Sequence, residues 1–98
     1  MKVITAQELK AKIAAGESVK LLDVREPDER ADFHIGGVHI PLGKVQIMQI
    51  DEIEDWKDDE IIVYCRSGKR SMIAAMVLEQ MGFSNLYNLE GGVLAWQL

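Results

Sequence analysis

A single cysteine, Cys65, occurs in this chain of 98 residues. That scarcity excludes an intrachain disulfide and any cysteine-rich metal site. Basic residues are also in deficit, 11 against 16 acidic ones, for a net charge of −5. Such a balance points away from nucleic acid or an anionic membrane as the main partner, yet leaves room for a local positive site. No apolar run approaches the roughly 20 residues of a membrane-spanning helix. The opening MKVITAQELKAK carries charges where a signal peptide needs an apolar core. Repeats, linkers and low-complexity stretches are missing too. What remains is a hydrophobic fraction of 48%, that of a globular chain. We therefore expect one soluble domain over residues 1–98, in a reducing compartment such as the cytoplasm, with monomer the favoured state.

The pattern alternates between strand-like and helix-like segments. Val3 and Ile4 make a short extended start. Thr5-Ala6-Gln7-Glu8 has the form of a capping box, and Leu9, Ile13 and Ala14 give the helical stripe that Gly16 ends. Val19 to Val24 is nearly all apolar, as in a strand covered on both faces. Pro27 suits the first turn of a short helix that carries Phe33 toward the core. Val38-His39-Ile40 reads as a short strand between Gly36-Gly37 and Pro41, and Lys44 to Ile50 leans to helix. Asp51 to Glu60 holds seven of the sixteen acids and reads as a solvated face around Trp56. Glu60 to Tyr64 is a buried strand. Ser71 to Met81 is a helix with Ile73, Val77, Leu78 and Met81 on one side. Leu86 to Leu89 is a last strand, and Gly91-Gly92 turns into a short terminal helix bearing Leu94 and Trp96. This alternation predicts an α/β domain built on a mostly parallel sheet.

Against the acidic background, the stretch after Cys65 is basic: Arg66, Lys69 and Arg70 fall within five positions. The order strand, loop, helix puts Cys65 at the carboxyl end of a buried strand, where open α/β sheets keep their active sites. The loop feeds a helix N-terminus, whose free N–H groups and positive dipole end favour an anion. Such a setting favours thiolate over thiol. A structural cysteine belongs among apolar neighbours, and these neighbours are polar, glycine-containing and basic. Cys65 is accordingly the candidate nucleophile, with Arg66, Ser67, Gly68, Lys69, Arg70 and Ser71 as the anion-binding loop. Asp23 and Arg25, at the end of the second strand, are candidate supporting residues at the same sheet edge. For Asp23, hydrogen bonds to loop backbone are the leading expectation. For Arg25, contact with substrate and an ion pair with a carboxylate stand level. His34 and His39 read as structural or surface residues, with no metal site and no cofactor.

Two chemistries use a cysteine held this way. One attacks phosphorus, the other carries sulfur. Tyrosine-phosphatase loops place an arginine after five intervening residues, so that it forks onto phosphoryl oxygens. Here Arg70 comes one position early and Ser71 fills the phosphatase position. A loop shorter by one residue fits a single extra sulfur atom better than a tetrahedral phosphoryl group.

The chain resembles a single-domain rhodanese, a thiosulfate-type sulfurtransferase, over essentially its whole length. Leu21 to Glu26 resembles the family's first signature, His34 to Pro41 its second, Cys65 to Arg70 its six-residue active-site loop, and Leu89 to Trp96 its closing signature. The second signature departs from the usual form in lacking a proline near Gly36 and an asparagine near His39. With two residues after Trp96, we expect no further C-terminal element to cover the site. The resemblance implies a five-stranded sheet flanked by helices on both faces. It also implies a persulfide on Cys65, stabilised by backbone N–H groups of the loop. The donor would be a small anion such as thiosulfate, and the acceptor cyanide or a thiol, including a protein thiol. Two other readings stay open: a sulfur-carrier or redox-binding module served by a protein partner, and a cysteine phosphatase or arsenate reductase.

Overall fold

The computed structural model describes residues 1–98. Five strands form one sheet: β1 (Lys2–Ile4), β2 (Lys20–Asp23), β3 (Val38–His39), β4 (Ile61–Tyr64) and β5 (Leu86–Leu89). Their order is β1-β5-β4-β2-β3, and every pairing is parallel, where the sequence suggested a mostly parallel sheet. The helices are α1 (Ala6–Ala14), α2 (Pro27–Asp32), α3 (Leu42–Gln46), α4 (Lys69–Gln80) and α5 (Gly92–Trp96), with a 3-10 segment at Asp51–Trp56. No helix is long and apolar enough to cross a membrane.

The central strand β4 is buried on both faces, and successive side chains alternate between them. Ile61, Val63 and Cys65 belong to one core, together with Leu22, Val24, Val45, Ala74, Ala75 and Leu78. Ile62 and Tyr64 belong to the other, with Ile4, Leu9, Leu89 and Val93, and Phe33 and Trp96 pack against it. Cys65 therefore starts its loop on the α3–α4 side of the sheet.

Local chemistry sets the element ends. Thr5 Oγ1 accepts from Glu8 N–H at 3.1 Å while Glu8 Oε1 accepts from Thr5 N–H at 3.0 Å, the reciprocal cap anticipated for α1. Pro27 opens α2, where its missing N–H costs nothing. Several expectations are corrected. Helix α4 begins at Lys69, two residues before the expected Ser71, because Gly68 in the left-handed region (φ 104°) acts as its N-cap. Its buried face is Ser71, Ala74, Ala75 and Leu78, whereas Ile73 is exposed. Small residues let α4 lie close against β4 and β5, and that close approach decided the face. On α1 only Ala6 and Leu9 are buried and Ile13 is exposed. The helical stretch expected over residues 44–50 ends at Gln46, after which Met48 takes a positive φ. In the acidic segment Ile53 is the buried anchor, and all the carboxylates of Asp51–Asp58 are exposed.

Candidate active site

Cys65 follows β4 directly and is almost fully buried, at 1% exposure. Contrary to the expectation from its polar sequence neighbours, its side chain also joins an apolar core, because it continues the alternation of Ile61 and Val63. The chain then turns through Arg66 and Ser67 to Gly68 and enters α4. This turn brings two donors onto the sulfur: Gly68 N–H at 3.1 Å and Ser71 Oγ at 3.3 Å. Burial pushes the thiol up. Hydrogen bonds from the Ser71 hydroxyl and from the N–H groups of Ser71, Gly68 and Ser67 outweigh it and hold Cys65 below its ordinary value. Ser71 lies in the first turn of α4, a 12-residue helix, and Gly68 is its N-cap, so the helix dipole acts in the same direction.

The loop is braced from beneath and from the side. Asn88, buried on β5, donates from Nδ2 to Gly68 O at 3.0 Å and accepts from Ser71 Oγ. At the other side Val93 N–H donates to Cys65 O at 2.9 Å and Leu94 N–H to Arg66 O at 3.1 Å. These bonds dock the start of α5 on the loop's own carbonyls. They require Gly92: a Cβ there would collide with the oxygens of Cys65 and Arg66, and its φ of 54° suits glycine. Gly92 thus has a physical task at the site.

Arg70 faces Glu29 on α2 through a two-pronged ion pair, Nη1 to Oε1 at 2.7 Å and Nη2 to Oε2 at 2.8 Å. The Arg70 guanidinium, against a smaller opposing effect of burial, holds the Glu29 carboxyl down to about 2. Arg70 therefore ties α4 to α2, with its head group turned to a carboxylate. Arg66 and Lys69 are exposed. A cleft of about 150 Å³ is lined by Arg66 together with Arg25, Glu29, Phe33 and Leu94. The largest hollow, about 350 Å³, lies between α1 and the chain's end and includes none of the loop.

Asp23 and Arg25 pair with each other. Asp23 is fully buried and accepts from Arg25 N–H (3.0 Å), Nε (2.9 Å) and Nη2 (2.8 Å). Burial pushes the Asp23 carboxyl up, and the Arg25 bonds more than reverse it. Arg25 Nη2 also reaches Phe33 O at 2.6 Å, and its guanidinium lies 5.6 Å from the Tyr64 ring centre. Neither residue bonds Cys65. The pair braces the chain after β2, and His39 Nε2 donates to Arg25 O at 2.8 Å from β3. Tyr64 completes this support by donating to Gly36 O at 2.9 Å and accepting from Ile35 N–H at 3.2 Å.

Of the residues expected at the site, Cys65, Gly68 and Ser71 meet at one sulfur. Asn88, Glu29 and Gly92 are additions that sequence reading missed. Asn88 had a signal, a lone amide among apolar residues in LYNL. Glu29 had one in its three-residue spacing from Glu26, whose N–H it caps at 3.0 Å.

The rhodanese-like domain model matches residues 5–98. YtwF of Bacillus subtilis, a protein assigned as a sulfurtransferase, is 40% identical over 98 residues, covering 99% of this chain and 91% of that one. A sulfurtransferase of Allochromatium vinosum is 37% identical over 94 residues, covering 95% of this chain and 85% of that one. YrkF of Bacillus subtilis, assigned as a sulfur carrier protein, is 39% identical, and the chain spans 49% of its length. A rhodanese-like domain protein from Staphylococcus aureus superposes with a TM-score of 0.85 at 31% identity, covering 98% of this chain and 91% of that one.

Proposed function

The chain belongs to the rhodanese-like domain family, and on that premise we propose that it is a sulfurtransferase working through a Cys65 persulfide. The observation that carries this is the pair of donors on Cys65 Sγ, Gly68 N–H and Ser71 Oγ, at the head of α4. They stabilise negative charge on a sulfur that has no neighbouring histidine base, so the nucleophile is poised without one.

In the first half-reaction the Cys65 thiolate attacks the outer sulfur of thiosulfate. The Sγ–S bond forms, the donor's S–S bond breaks, and sulfite leaves with the electron pair. The product is Cys65–S–S⁻, and total charge is conserved. In the second half-reaction cyanide or a thiolate attacks the outer sulfur. The acceptor leaves as thiocyanate or as a new persulfide, and the Cys65 thiolate returns. Arg66 and Lys69, both exposed, draw the anionic donor toward the loop. Arg70 contributes through the loop, since its head group is committed to Glu29. That commitment and the short loop weigh against phosphoryl transfer.

The test is intact-protein mass spectrometry after incubation with thiosulfate, with Cys65→Ser beside it. Gain of one sulfur atom by the native protein alone, removed by cyanide or a thiol, is the expected result. No gain, with Cys65 still open to alkylation, overturns thiosulfate as donor. A sulfur-carrier role is the second reading, favoured by the 39% identity with YrkF. Turnover on a persulfidated protein donor that far exceeds turnover on thiosulfate distinguishes it.

A further inference from the structure

Ser71 Oγ carries one hydrogen and has two acceptors in reach, Cys65 Sγ at 3.3 Å and Asn88 Oδ1 at 2.5 Å. The orientation of the Asn88 amide is decided by its other end. The Gly68 carbonyl only accepts, so Nδ2 must face it, at 3.0 Å, and Oδ1 faces Ser71. Ser71 is fully buried and Asn88 nearly so, at 0% and 6% exposure. One hydrogen thus cannot serve both acceptors at full strength at once.

We propose that Asn88 is a positioning residue for Cys65: its Oδ1 takes the Ser71 hydrogen whenever Sγ is uncharged and yields it when Sγ is a thiolate. With a thiol, S–H donates to Ser71 Oγ and the hydroxyl donates to Asn88. With a thiolate, the hydroxyl turns to Sγ, where the charge-assisted bond is the stronger one. In the persulfide the negative charge sits on the outer sulfur and Sγ is again neutral, so the hydrogen returns to Asn88. This last step rests on the persulfide reading above; the first two do not. The arrangement lets charge leave Sγ without stranding the Ser71 hydroxyl. By satisfying the hydroxyl in the thiol form it also keeps the thiol–thiolate balance from tipping toward a very acidic thiol, whose thiolate is a weaker nucleophile.

Several charged groups surround the loop. Lys69 and Arg70 lie on α4, Arg66 in the loop, Glu29 on α2 against Arg70, Asp23 and Arg25 at the end of β2, His39 on β3, and Glu90 after β5. None of them bonds Ser71 or Asn88, and none changes in the comparison that follows.

The experiment is the pH dependence of Cys65 alkylation by iodoacetamide in the native protein, Ser71→Ala, Asn88→Leu and the double variant. Asn88→Leu also removes the donor to Gly68 O, but does so in both backgrounds, so the cycle isolates the Ser71 path. Relative to its effect in the Ser71→Ala background, Asn88→Leu with Ser71 in place moves the alkylation midpoint to lower pH by about one unit. Equal effects in the two backgrounds, or a difference of the opposite sign, overturn the proposal. If the leucine variant does not fold, Asn88→Ala enters the same cycle. No sulfur donor is needed for this readout. A missing coupling in a protein that still gains sulfur from thiosulfate refutes the role of Asn88 alone. A clear coupling in a protein that never gains sulfur refutes the persulfide reading alone.

Discussion

Replacing Glu29 with glutamine removes the charge that Arg70 grips and leaves the side chain's shape intact. The Glu29 carboxyl lies at about 2 against an ordinary 4.5. At 1.36 kcal/mol per pH unit that gap corresponds to about 3 kcal/mol. The two side chains are 33% and 24% exposed, so solvent screens the pair and about 1–2 kcal/mol is the expected contribution. The sign follows from the carboxyl being held down in the folded state. Its contribution is complete above about pH 5 and disappears as pH falls toward 2. Urea unfolding of the native protein and Glu29→Gln, repeated at pH 7, 5, 4 and 3, is the assay. The stability difference is expected to be about 1–2 kcal/mol at pH 7 and to shrink steadily below pH 5. A difference that does not change with pH would show that the glutamine acts through packing or through the α2 cap to Glu26, and not through the ion pair. No difference at pH 7 would show that the pair contributes nothing despite its two-pronged geometry.

Four further outcomes are expected. Alkylation of native Cys65 should reach half its maximal rate below about pH 8.5, the unperturbed thiol value; a midpoint at or above it contradicts the donor geometry on Sγ. Gly92→Ala should lower stability by about 1–3 kcal/mol in thermal melts and reduce sulfur transfer, because its Cβ meets the Cys65 and Arg66 carbonyls. Gly68→Val should fold, since the space around that Cβ is ordinary, but its φ of 104° strains a branched residue, so alkylation and transfer both change while circular dichroism does not. Replacing Arg66 and Lys69 together by alanine should raise KM for thiosulfate several-fold and flatten its dependence on ionic strength, measured in steady-state kinetics.

Much of the architecture could be read from local pattern. The cap at Thr5 and Glu8, Pro27 at the head of a helix, the buried run Ile61–Tyr64 and the strand Leu86–Leu89 depend on residues within a few positions of one another, so the chain alone determines them. The position of Cys65 was legible for the same reason: strand, basic glycine-containing loop and helix are contiguous around it. Which face of α4 is buried was not legible, because Ala74 and Ala75 face the core only by virtue of how closely the sheet lies beneath them. The partners of the loop were hidden too. Arg70 finds Glu29 across 41 positions, and Gly68 and Ser71 find Asn88 across 20 and 17. Asp23 and Arg25 share an edge with Cys65, as expected, yet Asp23 is taken up by Arg25, which forks onto it, and by Arg30 at 3.6 Å, because a buried carboxylate draws the cations within reach. By itself the sequence determined the elements and the place of the one cysteine sulfur at the head of a basic loop, since both are encoded in neighbouring residues. Only the parallel packing of β2, β4 and β5 decided which polar groups converge on that sulfur and which ones brace the chain around it.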